Sequence, residues 1–158
     1  MKSKLNITEF RAKLTENTKI GLPQLRVNFG IFSIFFFNSK CFYGNFDDST
    51  FRLTINYNFT SAIYILKGKY QNTDNKLKLN YTVEPLSKVG IIWMKYFPFV
   101  ALIGVNSFFY FNFNNTPIFV YILFNLFTIF SFLHLRWSLK RENKKLVQKF
   151  NKIFEVIE

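Results

Sequence analysis

Forty consecutive residues, Tyr96 to Leu135, contain no Asp, Glu, Lys or Arg, in a chain whose net charge is +12. A helix needs roughly 20 apolar residues to cross a bilayer, so the tract is too long for one crossing and matches two. A polar break, Asn112 to Thr116 with Pro117 behind it, divides the tract. The expectation is a transmembrane hairpin over residues 88–136, with helices at 89–113 and 117–135. Pro98 lies inside the first helix, where it kinks the axis, and Pro117 suits the first turn of the second.

The rest of the 158 residues divides into 1–87, read as a cytoplasmic helix plus sheet, and 137–158, read as a basic cytoplasmic helix. Cys41 is the single cysteine, which excludes an intramolecular disulfide and a four-cysteine zinc site. Met1 to Arg26 is polar and mixed in charge, unlike a secretory leader. The basic excess fits either a nucleic acid or an anionic membrane face. Beside a hairpin it points to the membrane, and no nucleic-acid partner and no cofactor is expected.

Local signals give an α+β chain. Leu5 to Asn17 reads as an amphipathic helix with Asn6 as cap, Glu9 as its capping-box partner, and Leu5 and Phe10 at the two staple positions. Gly21-Leu22-Pro23 breaks the chain. Val27 to Phe37 is an eleven-residue apolar run, too short to span as a helix, and it fits a buried strand or an interfacial segment.

Period-two alternation then sets in. Lys40 to Phe46, Thr50 to Tyr57, Ile63 to Gln71 and Lys76 to Val83 read as four strands of a small antiparallel meander. Asp47-Asp48-Ser49, Asn58 to Ala62 and Asn72 to Asn75 are its turns. One face is apolar and the other wet, with the N-terminal helix and the 27–37 run as covers. In the last segment Leu139, Leu146 and Ile153 recur every seven residues, with Asn143, Phe150 and Ile157 at the second seam position. That supports either a short coiled coil or an amphipathic helix returning to the sheet.

Lys88 and Lys95 flank one end of the hairpin, and Arg136, Lys140, Arg141, Lys144 and Lys145 the other, while the connecting loop is uncharged. The positive-inside rule puts both termini in the cytoplasm and the chain in the cell (inner) membrane. Trp93, Tyr96 and Trp137 sit where aromatic side chains anchor helices at the interface. Arg136, Lys140 and Arg141, together with Lys67, Lys69, Lys76 and Lys78 along one strand pair, are candidate contacts for anionic lipid. The strand lysines also serve to protect an exposed sheet edge.

Counting outward from Asn115, Asn106 is nine residues away and Asn125 ten, which sets them within roughly 2 Å of one depth. An unpartnered amide in hydrocarbon is costly, so the two are expected to face each other or an equivalent pair in a second copy. Gly104 and Ser107 leave room for close helix approach nearby. No ionisable group lies deep in either helix, which argues against a proton path.

No catalytic set is visible. His134 falls at the headgroup level, Cys41 lies in a strand, and no nucleophile has a base beside it in sequence. Asp47-Asp48 is the one close carboxylate pair, and it occupies a turn where Asp is ordinary. No metal site is expected.

Phe51-Arg52-Leu53, the turn Asn56-Tyr57-Asn58-Phe59, Gly68 and Tyr96-Phe97-Pro98-Phe99 resemble a group of small uncharacterised two-transmembrane-helix proteins of Bacteroidota-type bacteria. The resemblance covers under half of the chain, and Ala62 stands where a Pro would complete the pattern. It implies architecture only.

These readings describe a non-enzymatic integral membrane protein that anchors a small cytoplasmic β domain at the bilayer, for binding a partner, a lipid headgroup or its own copies. The alternatives are an accessory subunit of a larger membrane complex and a membrane-perturbing effector.

Overall fold

The structure, a computed structural model, describes residues 1–22, 40–56, 62–73, 76–111 and 117–157. The apolar run 27–37, the turn at 58–61 and the break at 112–116 lie outside them. The chain is α+β and forms two compact units, one of residues 1–86 and 142–158, the other of residues 87–141.

The first unit is a sheet with helices on one face. Its strands are β1 (Lys2–Ser3), β2 (Thr18–Ile20), β3 (Phe42–Phe46), β4 (Thr50–Ile55), β5 (Tyr64–Thr73), β6 (Lys76–Pro85) and β7 (Val156–Ile157). They form one seven-stranded sheet in the order β2-β3-β4-β5-β6-β1-β7. The expected four-stranded antiparallel meander is therefore its middle only. The sheet is mixed, because β2 runs parallel to β3 (Thr18 opposite Phe42, Ile20 opposite Gly44). β1 joins the other side, pairing Ser3 with Leu77 and Lys2 with Ile157. Strands of two or three residues are too short to show a period, which is why alternation does not announce them.

Helix α1 (Ile7–Asn17) begins as its residues require. The Asn6 side chain accepts from the Glu9 amide at 2.8 Å, and the Glu9 carboxylate accepts from the Asn6 amide at 3.0 Å. This reciprocal cap satisfies two otherwise orphaned donors. At the far end, Lys40 donates to the carbonyls of Thr15 and Thr18 at 3.0 and 3.2 Å, where free carbonyls and the negative helix end favour a cation.

The core lies between one sheet face and two helical segments. Phe10 and Leu14 come from α1; Leu146 and Phe150 come from the end of the long helix α3 (Ile118–Ile153), with Phe154 just beyond it. Phe42, Phe51, Leu53, Leu66, Tyr70, Leu77 and Leu79 come from the sheet. Phe150 stacks on Phe51 with centroids 5.2 Å apart, and Phe154 lies 4.9 Å from Phe10 and 4.7 Å from Phe150. Of the two roles open to the C-terminal helix, residues 142–153 take the second and return to the sheet. Gly68 faces this core from β5, and a Cβ there would run into the Phe51 ring and the backbone of β6. Phe51 thus requires a glycine opposite it.

The end of α3 is stitched to the N-terminal segment. Ser3 Oγ donates to the Phe154 carbonyl at 2.6 Å, and Lys13 Nζ reaches the Ile153 carbonyl at 3.2 Å and the Glu155 carboxylate at 2.7 Å. Late carbonyls of a helix lack intrahelical partners, and here β1 and α1 supply them. Glu155 takes a left-handed backbone with φ 49°, which stops the helix and aims β7 into the sheet.

The second sheet face departs from the simple wet face expected of it. Arg52 and Lys69 are exposed there, but Tyr43, Thr54 and Ile65, on adjacent strands, are buried. The hydroxyls of Thr54 and of Thr18 have no hydrogen-bond partner among the described residues.

The second unit holds α2 (Lys88–Phe111) and residues 118–141 of α3. Both helices are long and apolar enough to cross a membrane, and the most apolar stretch of each has no buried residue. At 1.5 Å per residue α2 extends about 36 Å. Pro117 stands directly before α3, where its carbonyl accepts from the Val120 amide at 3.0 Å. The second apolar helix and the C-terminal helix are one continuous element.

Truncating a buried Phe in such a core costs about 3–5 kcal/mol. Phe150→Ala is expected to weaken the sheet unit by that amount. Cys41, the sole thiol, packs against this core, so its labelling rate in denaturant reads the loss; an unchanged rate would contradict the role given to Phe150.

Candidate functional site

The one close carboxylate pair, Asp47 and Asp48, is engaged in a turn and an ion pair. In the β3–β4 turn, Asp47 Oδ1 accepts from the amides of Ser49 and Thr50 at 2.8 and 2.6 Å, and Oδ2 accepts from Thr50 Oγ1 at 2.6 Å. These bonds, the Thr50 hydroxyl first, hold the Asp47 carboxyl down at about 2. Such an acid is a poor proton acceptor near neutral pH. Asp48 pairs with Arg11 at 3.2 Å. The pair closes a turn and ties it to α1. Among the described residues no three His, Cys, Asp or Glu side chains gather as a metal site would require. Cys41 is half-buried in the sheet unit, and His134 lies in the helical unit between the rings of Phe130 and Trp137.

The basic residues lie in two places. In the sheet unit Lys67, Lys69 and Lys78 share the face turned away from the core, by the alternation that buries Leu66, Tyr70, Leu77 and Leu79. The Lys76 side chain lies outside the described parts. Alternation sets Arg52 on the polar side of its strand, but only the strand register brings it and Lys2 to these lysines: Arg52 is opposite Lys67, and Lys2 opposite Lys78. Lys67 also reaches diagonally to Glu84 at 2.5 Å, an exposed pair of the kind that contributes about 0–1 kcal/mol.

In the helical unit Arg136, Lys140 and Arg141 are exposed on α3. Arg136 lies over the Phe132 ring at 4.7 Å and Arg141 over Trp137 at 4.9 Å. Each spans one helical turn, so the guanidinium covers the ring below it. Trp93, Tyr96 and Trp137 are all exposed, and Trp93 packs along its own helix against Phe97 at 5.2 Å.

Between the two helices, Asn106 Nδ2 donates to Asn125 Oδ1 at 2.9 Å and to the Leu102 carbonyl at 2.7 Å. Tyr121 donates its hydroxyl to Asn106 Oδ1 at 2.6 Å. Asn125 Nδ2 closes the set on the Tyr121 carbonyl at 3.0 Å. Each side chain thus has a partner, and among the described residues no ionisable group other than Tyr121 joins the group. Phe109 packs beside it against Tyr121 and Phe124 with centroids 5.6 and 5.9 Å away. Gly104, expected at this contact, has nothing within 4 Å of where a Cβ would sit. It faces outward from the pair.

Comparison with protein-family models, with curated proteins and with solved structures gives no match. The resemblance of Phe51 to Phe99 therefore adds nothing to the site, and function has to be read from the geometry.

Two outcomes follow. Asp47 stabilises the fold at any pH above the ordinary carboxylate value of about 4, because its folded value is depressed, and that contribution fades as pH falls toward about 2. Melting midpoints of wild type and Asp47→Asn should differ at neutral pH and converge in strong acid; a constant gap would show that the carboxylate charge is irrelevant. Asn125→Leu should weaken the α2–α3 pair by about 0.6–1.7 kcal/mol in a denaturing-detergent titration, and a double-mutant cycle with Asn106→Leu should show the two losses coupled.

Proposed function

We propose that this chain is a membrane-anchored binding module: α2 and the first half of α3 span the bilayer as a hairpin, and the sheet unit is held at the membrane surface to engage a partner or a lipid headgroup. The observation that carries this reading is the outward exposure of the apolar side chains. Val89, Ile92, Val100, Ile103, Phe111, Phe119, Leu126, Phe127, Phe130 and Leu133 are all exposed. A contiguous apolar surface of this extent is foreign to a chain dissolved in water, and bilayer hydrocarbon is the solvent that suits it. Helices also suit the demand that lipid makes on backbone groups, because they pair those groups within one segment.

The charge distribution supports the direction. Lys88 and Lys95 stand at the start of α2, and Arg136, Lys140, Arg141, Lys144 and Lys145 follow the apolar stretch of α3, with no charge between residues 96 and 135. This arrangement favours a cytoplasmic sheet unit and cytoplasmic termini at the inner membrane. Stacking of Arg136 and Arg141 on rings one turn away fits residues that bridge hydrocarbon and headgroups. The module carries no catalytic claim: its Asp47-Asp48 pair is engaged in a turn and in an ion pair with Arg11.

A second reading, an accessory subunit of a larger membrane complex, draws on Gly104. Outward-facing small residues are where another helix approaches closely in lipid, and Ser107 is exposed beside it. This reading keeps the hairpin and adds a heteromeric partner on its outer face.

Alkaline carbonate washing separates anchored from adsorbed chains. The full chain is expected to stay in the membrane pellet. In a Cys41→Ser background, Pro117→Cys should react with an impermeant maleimide from outside, whereas Lys144→Cys should react only after permeabilisation. Release by carbonate would overturn the anchoring, and the reverse labelling pattern would overturn the orientation.

A further inference from the structure

The sheet face turned away from the aromatic core carries a grid of cations set by strand register. Arg52 on β4 is opposite Lys67 on β5, which is opposite Thr82 on β6. In the next row of that face Lys69 lies between Thr50 and Asn80, and in the one after Lys78 lies between Gln71 and Lys2. Adjacent strands are about 4.8 Å apart and same-face neighbours along a strand about 6.7 Å. The backbone positions of Arg52, Lys67 and Lys69 therefore fall within an area that one phosphate ester can address. An open groove of about 610 Å³ lies over them, lined also by Asn80 and Thr82, which offer an amide and a hydroxyl.

This grid is electrostatically expensive. Arg52 against Lys67 and Lys2 against Lys78 are like charges directly opposed, an arrangement that destabilises a sheet. A face built only for solubility intersperses the two signs. Here Glu84 is the one acid among the described residues of β1, β4, β5 and β6, and it is engaged by Lys67. Asp47 stands at the rim, holding the Thr50 hydroxyl. Arg52 and Lys69 make no hydrogen bond or ion pair with any described residue. Glu84 offsets the charge of Lys67, and an anion from outside would offset that of Arg52 and Lys69.

We infer that this grid binds the headgroups of anionic phospholipids, with Arg52 as the forked phosphate ligand and Lys67 and Lys69 as flanking point charges. The inference rests on the anchoring reading and names what the anchored unit engages. Chain continuity selects the occupant: β6 ends at Pro85 and α2 starts at Lys88, so Leu86 and Ser87 alone tether the grid's strand to a membrane helix. So short a tether holds headgroups near the grid at an effective concentration on the order of millimolar or above. A single-stranded nucleic acid would call for rings on which bases stack, and the rings of these strands, Phe51, Tyr64, Tyr70 and Tyr81, turn to the core side. The grid belongs to the sheet unit, whereas Arg136, Lys140 and Arg141 belong to the helical unit, and their basic character is one that any positive-inside anchor shares.

The test uses the full chain in zwitterionic detergent micelles, titrated with short-chain phosphatidylglycerol and, separately, short-chain phosphatidylcholine, while amide signals of Lys67 to Lys69 and Asn80 to Thr82 are followed by NMR. Saturable shifts with phosphatidylglycerol alone are expected. Two grid cations contribute about fivefold each at a membrane surface, so Arg52→Gln with Lys69→Gln should weaken the response about thirtyfold, while Lys144→Gln with Lys145→Gln should leave it in place. Equal response to both lipids, indifference to the grid substitutions, the same saturation with inorganic phosphate, or displacement of the lipid by a single-stranded RNA oligonucleotide would each overturn the inference. A flat titration with the chain still in the carbonate pellet defeats this inference and leaves the anchoring intact. Release from the pellet defeats the anchoring itself.

Discussion

Burial of Phe150 and Phe154 against Phe10, Phe42 and Phe51 is the interaction on which the sheet unit depends. Fully burying each such ring contributes about 2–3 kcal/mol. The rings come from α1, from β3 and β4, and from the end of α3, segments more than a hundred residues apart at the extremes. The Ser3, Lys13 and Glu155 bonds at the end of α3 orient that junction, but polar bonds at a surface are worth little unless apolar packing has already brought their partners together.

What could be read from the residues divides along a physical line. Patterns enclosed in one segment were visible: the Asn6–Glu9 cap, the alternation of Thr50 to Ile55 and Lys76 to Val83, the charge-free tract. Counting residues from the polar break also placed Asn106 and Asn125 at one level, because an α-helix has a fixed rise, and the two amides bond at 2.9 Å. Features that depend on pairing between distant segments were not visible. β1 meets β7 across nearly the whole chain, and β2 joins β3 in parallel; neither leaves a period in sequence. The same limit hid the pairing of Arg52 with Lys67 and of Lys2 with Lys78, and hid Tyr121 from the amide cluster, since cross-strand register and helix rotation decide those neighbours. Gly104 shows the converse, a small residue that invites a helix contact by composition and faces away from the one present.

The two units make opposite uses of the aromatic excess. In the sheet unit the rings turn inward and pack at centroid separations near 5 Å. In the helical unit most are turned outward, and only a few, Phe109 with Tyr121 and Phe99 with Phe132, seal the two helices together. Phe serves both because it is apolar without a polar tip: it packs as readily beside an acyl chain as beside another ring. The amides of Asn106 and Asn125 supply the direction that ring contacts lack, since a hydrogen bond fixes rotation about the helix axis where dispersion alone does not.

Leu146, Phe150 and Phe154 follow both apolar helices along the chain, although they complete the core of residues that precede those helices. A ribosome therefore delivers the two long apolar segments before it delivers the last side chains of the sheet's core. Until then, among the described elements, α1 alone covers the inner face of β3 to β6. The order of synthesis therefore makes closure of the sheet a late event.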